Sequence, residues 1–244
     1  MLQIPYCFVK DDVIGKFEND KQFYNWISVN VNTGRVKRVK NGLYVTVDSM
    51  GSLSSSKFEI ACKITKTSFI AYHSALEFYG LANQVYNTVI VGSKTRFKSF
   101  EFDDIEYQNV MVNNSYDVNF IESSNIRVPS LERTIIDCID NIDLAGGIEE
   151  ILNALEQVDN LNEKKLLNVL SSYSNMFLYQ KTGYILEHFK DSLNLSDAFF
   201  ETCVPKVDNA IRYFLNDEYS NIKFNSKWQL MAPLNLLSRM NGGL

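Results

Sequence analysis

The sequence has little of what metal-binding, secreted and membrane-spanning proteins contain. Its 244 residues include two histidines and four cysteines, and Cys7, Cys62, Cys138 and Cys203 form no Cys-x-x-Cys pair. Because a zinc site needs ligands in close pairs, we expect reduced, packed cysteines and neither a metal nor a cofactor. No basic leader precedes a signal-like apolar core, and no apolar run approaches the ~18 residues of a membrane span, so we expect a cytoplasmic protein.

Glycine and proline are also scarce, at 11 and 4 residues, and no low-complexity tract is present. Hydrophobic residues make up 45% of the chain and charged residues 22%, which is the ordinary globular mixture. This composition excludes a wholly disordered or collagen-like chain, and the length is typical of one large domain or two of ordinary size.

Charge is distributed unevenly along the chain. The formal net charge is −5, but residues 1–48 hold 7 Lys and Arg against 5 Asp and Glu, and residues 49–244 hold 17 against 24. The segment 34–47 contains no acid, and its basic residues are Arg35, Lys37, Arg38 and Lys40. Such a basic strip in an acidic protein indicates a local contact with a polyanion, and the alternative is the solvated rim of a hairpin.

Two short helices are predicted before this strip, at residues 10–17 and 20–32, with Asn19 or Asp20 as the N-cap of the second. Apolar residues recur every four positions along the second helix, at Phe23, Ile27 and Val31. They are expected to face inward. The side chains then left outside are Lys21, Gln22, Asn25 and Ser28.

A tight hairpin is predicted at 35–47, around the strong turn signal Asn41-Gly42. Two helices and a hairpin form the layout of a winged helix-turn-helix, whose second helix enters the DNA major groove. The exposed Gln and Asn would contact adenine edges, and Lys and Arg would contact guanine edges or phosphates. Residues 1–7 leave little room for a complete first helix, so we expect a reduced module.

A serine-rich segment at 49–56 is the predicted linker, since serine fills five of its eight positions. Ser54 or Ser55 can cap the helix that follows it. The expected division is therefore a winged-helix domain at 1–48 and a C-terminal domain at 57–244.

The C-terminal domain is predicted to contain a mixed β-sheet followed by a helical region. Strands are expected at 69–71, 88–91, 105–112, 118–122 and 126–128, with a short helix at 74–79. From Ser130 the apolar period changes to between three and four, which predicts successive amphipathic helices. The expected fold class is a mixed α+β protein.

Five motifs follow one another along the chain. They are Gly34 to Tyr44, Ser74-Ala75-Leu76 with Gly80-Leu81, Pro129 to Asp137, Gly183 to Glu187, and Trp228-Gln229-Leu230 with Pro233. In this order and spacing they resemble the AbiEi antitoxins, the regulatory half of a bacterial type IV toxin–antitoxin pair associated with abortive phage infection. The resemblance covers roughly residues 8–190 and a closing strand near the C terminus.

The resemblance implies a two-part protein that is not an enzyme. Its winged helix would repress its own operon by binding inverted repeats in double-stranded promoter DNA. Its C-terminal domain would counteract a nucleotidyltransferase-like toxin, without requiring a stable complex. The resemblance also implies a monomer or weak dimer that pairs on DNA. The positions that match the C-terminal motifs include Ser74, Gly80, Arg133, Asp137 and Gly183.

Arg133 and Asp137 are four residues apart on a predicted helix and can pair. The pair is interpreted either as an anchor for a partner or as a structural ion pair that organises the domain. Gly183 interrupts a helical pattern at a cost of about 1 kcal/mol relative to Ala, and close helix packing is its expected reason.

A second basic strip is formed by Lys94, Arg96 and Lys98, which share one side of an extended chain. It could face nucleic acid, either bent operator DNA or an RNA substrate of the toxin. The alternative is an edge strand that its cations protect from pairing with other edges.

Two other functions compete with the DNA-binding hypothesis. Gly92-Ser93 followed by Asp104-Ile105-Glu106 fits a nucleotidyltransferase pattern, whose carboxylates would hold Mg²⁺ against nucleotide phosphates. That fold needs Gly-Ser to begin a helix, whereas residues 94–102 alternate and predict an extended chain. The other alternative is a winged helix that binds protein instead of DNA.

Overall fold

The computed structural model describes residues 3–215 and 222–241, and it has the mixed α+β class that the sequence predicted. The helices are α1 Lys10–Val13, α2 Asp20–Asn32, α3 Lys57–Lys63, α4 His73–Phe78, α5 Leu131–Asp140, α6 Ile148–Glu156, α7 Glu163–Tyr173, α8 Met176–Glu187 and α9 Asp197–Cys203. The strands are β1 Cys7–Val9, β2 Val36–Lys40, β3 Leu43–Thr46, β4 Phe69–Ile70, β5 Thr88–Ser93, β6 Phe100–Phe102, β7 Ile105–Met111, β8 Val118–Ile121, β9 Ile126–Pro129, β10 Arg212–Tyr213, β11 Ile222–Asn225 and β12 Leu230–Pro233. Short 3-10 turns occupy Ile14–Lys16, Val204–Lys206 and Leu236–Asn241.

The chain divides into two compact units, each built from separate segments. Unit 1 comprises Met1–Ile70, Asn87–Asn113 and Phe120–Val128. Unit 2 comprises Ala71–Tyr86, Asn114–Asn119 and Pro129–Leu244. Packing therefore groups α3 and most of the following sheet with the N-terminal elements, because α3 contacts β1, β4 and β5. A functional boundary at 49–56 stays a prediction.

The N-terminal elements of unit 1 follow the predicted order of helix, helix and hairpin. The first helix is short, because α1 ends at Val13 and a single 3-10 turn continues it to Lys16. Asn19 caps α2 by accepting a hydrogen bond from the backbone of Gln22. Strands β2 and β3 pair around Asn41 and Gly42, and β1 adds to form a sheet of order β1-β3-β2.

One small core holds these elements together. Its buried residues are Phe8, Val13, Phe23, Ile27, Val36 and Tyr44. The apolar period of α2 therefore faces the core as predicted, with Val31 packed at its margin. The opposite face of α2 is left to solvent.

The serine-rich segment 49–56 is a structured turn. The carboxylate of Asp48 accepts hydrogen bonds from the backbone N–H groups of Met50 and Ser52. The N-cap of α3 is Ser56, in a capping box with Glu59, so the prediction of Ser54 or Ser55 was wrong. The reason is the Glu59 side chain, which can reach back only to the residue three positions before it.

The predicted mixed sheet is present in unit 1, with the strand order β4-β5-β7-β6. Strands β5 and β7 are parallel, and the other two pairs are antiparallel. Strands β8 and β9 pair only with each other in the described chain. Every strand predicted between residues 69 and 128 has a counterpart here.

Unit 2 is mainly helical and contains a second core that α5 to α9 supply. A three-stranded sheet of order β10-β12-β11 follows the helices, and β12 coincides with the predicted closing strand. Trp228 is fully buried in this core, and a methyl group placed on Gly183 of α8 would overlap its ring. Close packing at Gly183 is thus confirmed, although its neighbour is an indole ring and not another helix.

The four cysteines are buried and unpaired, as expected for packing residues. Burial raises the pKa of Cys7 to about 12, which makes its thiol unreactive at neutral pH.

Among the helices of residues 3–215 and 222–241, none has the length and apolar character that crossing a bilayer demands.

Candidate nucleic-acid interface

The outward face of α2 carries the four polar residues that the sequence predicted there. The side chains of Lys21, Gln22, Asn25 and Ser28 are all exposed. Gln22 is partly engaged, because its Oε1 accepts a hydrogen bond from the backbone of Glu18 at 2.7 Å. From Lys21 to the end of α2 the chain contains no acid, so this face offers amide, hydroxyl and ammonium groups without a competing carboxylate.

The four cations of the hairpin do not share one surface. In the β2–β3 register, Arg38 lies opposite Tyr44, whereas Lys37 lies opposite Val45 and a bulge places Lys40 opposite Leu43. Because side chains alternate along a strand, Arg38 is on one face of the sheet and the two lysines are on the other. Arg35 precedes β2 and is exposed.

Each cation of β2 has a neighbour within unit 1. The Arg38 guanidinium lies 5.8 Å from the centre of the Tyr44 ring. Lys37 Nζ forms an ion pair with Asp103 Oδ1 at 2.9 Å, and both side chains are about half exposed. Lys37 is therefore partly neutralised, whereas the side chains of Arg35 and Arg38 are exposed.

Lys40 of the hairpin lies beside the second basic strip, although the two strips are far apart in the sequence. Its Nζ is 5.2 Å from the centre of the Phe97 ring and 5.4 Å from that of Phe100. Partial burial against these rings lowers the pKa of Lys40. Arg96 and Lys98 flank the buried Phe97 and are exposed, so the second strip continues the surface on which Lys40 lies.

The second strip lies in the connection between β5 and β6, so its interpretation as a protected edge strand was wrong. The predicted alternation still holds around Phe97, which is buried between two exposed cations. Arg96 and Lys98 border a depression of about 580 Å³, together with Ser99 and Asn109. These four side chains all carry hydrogen-bond donors, which suits a ligand rich in oxygen acceptors such as a phosphate.

The nucleotidyltransferase pattern does not assemble into a site. Gly92 and Ser93 end β5 instead of beginning a helix, and the Ser93 hydroxyl is buried against two threonine hydroxyls. In the register of β5 with β7, Glu106 lies opposite Thr88, five residues from Ser93. At about 3.3 Å per residue along the strand, Glu106 is therefore roughly 16 Å from Ser93.

Within the part of the chain that the structure describes, no three His, Cys, Asp or Glu residues are grouped to hold a metal ion. Asp104 lies in the exposed turn between β6 and β7, next to Asp103. The absence of catalysis stays a prediction.

The Arg133–Asp137 pair on α5 is structural. Its Nε–Oδ2 distance is 3.3 Å, and only 1% and 4% of the two side chains are exposed. Arg133 also donates to the backbone oxygens of Asn114 and Tyr116, and Asp137 accepts from the Tyr173 hydroxyl. A group this deeply buried cannot serve as an exposed anchor for a partner.

Burial raises the pKa of Asp137 to about 6, although Arg133 and Tyr173 both act to lower it.

The motif positions Ser74 and Gly80 also have structural roles. Ser74 is buried in α4, and Gly80 ends that helix with φ +71, a conformation that favours glycine. The C-terminal motifs thus maintain the packing of unit 2.

Two residues beside the candidate interface have no signal in the sequence. Asp103 is 66 residues from Lys37, and such a distant ion pair follows only from the packing of the sheet. Val29 lies on the polar face of α2 and is 60% exposed, whereas the apolar period marked only the residues that face inward.

No family model matches the chain, and no curated protein matches it. A solved structure has a similar fold. It is the crystal structure of the Rv2827c protein from Mycobacterium tuberculosis, with a TM-score of 0.65 over 98% of this chain and 90% of that chain. At 14% sequence identity, the likeness concerns the fold alone.

Proposed function

We propose that this chain is the antitoxin of a type IV toxin–antitoxin pair. It represses its own operon in the cytoplasm by binding inverted repeats in the promoter through its winged helix. The remainder of the chain counteracts a nucleotidyltransferase-like toxin. The motif resemblance supports the identity of the pair, and the surface chemistry of unit 1 supports DNA as the ligand.

One observation carries the DNA-binding part of the proposal. Within unit 1, the acid-free outer face of α2 and the basic hairpin belong to one small core, which fixes both to the same scaffold. Such a helix presents hydrogen-bonding groups to base edges, and the hairpin presents cations to phosphates. An overall charge of −5 makes nonspecific attraction to DNA weak, so the contact depends on this local arrangement.

The residues divide into two roles in this proposal. Gln22 and Asn25 contact base edges, preferentially adenine, and Lys21 and Ser28 contact bases or the adjoining phosphates. Arg35 and Arg38 contact phosphates, with Lys37 and Lys40 as weaker contributors because Asp103 and two aromatic rings engage them. The strip of Lys94, Arg96 and Lys98 extends the phosphate contacts on the face of the hairpin that carries Lys40.

The test is a salt titration of binding to the DNA upstream of the gene, by gel shift or fluorescence anisotropy. The variant with Arg35, Lys37, Arg38 and Lys40 changed to Ala should bind less tightly and with a flatter salt dependence, by about 0.9 in the slope of log K against log salt for each lost phosphate contact. The corresponding triple variant of the second strip should also flatten the slope. Wild-type affinity in the hairpin variant would contradict the proposal and favour a protein-binding winged helix.

The antitoxin part is tested in cells. Co-expression with the product of an adjoining nucleotidyltransferase gene should restore growth, and the hairpin variant should still do so because its change is confined to DNA binding. No stable complex between the two proteins is required. Persistent toxicity in the presence of folded wild-type chain would contradict this part and leave the repressor function standing.

A further inference from the structure

The exposed face of α2 contains one apolar side chain at its centre. Val29 is 60% exposed, and it lies one helical turn from Asn25 on the side away from the core. At 100° per residue, Val29 and Asn25 are separated by about 40° around the helix axis, with Asn32 on the same side. Amide groups therefore surround this valine on the face proposed to enter the groove.

Neither helix formation nor burial favours a valine at position 29. A β-branched residue is a poorer helix former than Ala, and a side chain that remains mostly in water contributes little burial energy. Tyr24 is the other large exposed apolar residue of α2, but Lys10 Nζ lies 5.4 Å from its ring centre. Val29 is neither in the small core of unit 1 nor among the apolar residues packed against it.

We propose that Val29 is a specificity-determining residue that contacts the C5-methyl group of a thymine. In the major groove the thymine methyl is the one apolar feature of a base edge, and small apolar side chains recognise it. This inference rests on the proposed DNA-binding function, and it assigns to Val29 the recognition of a thymine.

The helix geometry also fixes where that thymine lies. Four residues of α-helix rise about 6 Å, and successive base pairs are about 3.4 Å apart. If Asn25 forms its two hydrogen bonds with an adenine, the thymine under Val29 is within two base pairs of that adenine. The operator should therefore contain an adenine and a thymine at this spacing in each repeat.

The experiment compares two versions of the upstream fragment, one made with thymine and one with uracil in place of every thymine. Uracil keeps the hydrogen-bonding groups and lacks the methyl. Wild-type protein should bind the uracil fragment about fourfold more weakly for each bound protomer, the factor expected for losing one buried methyl group. The Val29→Ala variant should bind the thymine fragment more weakly by a similar factor and should not distinguish the two fragments.

The matched control is Val85→Ala, because Val85 is 76% exposed in a loop of unit 2. This variant should distinguish the fragments as wild type does. Tight and equal binding of both fragments by wild type would overturn the role of Val29 while leaving DNA binding intact, and so would discrimination retained by Val29→Ala. Binding of neither fragment would refute the proposed function and this inference with it.

Discussion

The ion pair between Lys37 and Asp103 predicts that one acidic side chain weakens DNA binding. An ammonium held by a carboxylate is less available to a phosphate, and the carboxylate itself repels the DNA backbone. The substitution Asp103→Asn removes this negative charge. Because Asp103 has φ +54, a conformation that Asn also tolerates, the turn between β6 and β7 should be preserved.

The size of the effect follows from the exposure of the pair. Both side chains are about half exposed, and ion pairs in such positions are worth roughly 0 to 1 kcal/mol. Releasing Lys37 should therefore tighten binding of the upstream fragment by up to about fivefold. If the released ammonium contacts one phosphate, the slope of log K against log salt should steepen by about 0.9. Fluorescence anisotropy over a series of salt concentrations measures both quantities.

The control is Asp104→Asn, which removes the same charge from the same turn. Asp104 also has a positive φ, of +61, and it pairs with no cation in the described part of the chain. It should raise affinity slightly without steepening the slope. Equal slopes for the two variants, or a slope unchanged from wild type in Asp103→Asn, would refute the role assigned to Lys37.

Two further predictions concern stability. Gly183→Ala should lower the free energy of unfolding by about 1–3 kcal/mol, because the added methyl overlaps Trp228, whereas Gly15→Ala, with open space around it, should have little effect in the same denaturant titration. Burial raises the pKa of Asp137 from 3.8 to about 6, so the folded chain holds this proton more tightly than the unfolded chain. The contribution of Asp137 to stability should therefore fall, by up to about 3 kcal/mol, as pH rises from about 4 to about 6. Chemical denaturation at several pH values should show this fall in wild type relative to Asp137→Asn; a constant difference between them would contradict it.

Local signals predicted the elements of unit 1 well. The cap at Asn19, the apolar period of α2 and the Asn41-Gly42 turn all act between residues close in sequence, so the outer face of α2 could be identified before the fold was known. The strands of the mixed sheet were found for the same reason. Strand β6 was predicted only as part of the extended chain 94–102, because its three residues are too few to mark a separate strand.

Relations between distant segments could not be predicted in this way. The sequence placed four cations on one hairpin, but a bulge between Arg38 and Lys40 and the pairing of Lys37 with Asp103 distribute them over two faces. The contact of Lys40 with Phe97 likewise joins two strips that the sequence presents separately. These outcomes depend on how the sheet and the hairpin pack within unit 1, which no local pattern encodes.

The most direct measurement is the affinity of the purified wild-type chain for its own upstream DNA, compared with a shuffled fragment of the same length and composition. A promoter-specific repressor should bind the upstream fragment at least about a thousandfold more tightly near physiological salt. Equal affinities for the two fragments would contradict the assignment of α2 and the hairpin as an operator-binding surface.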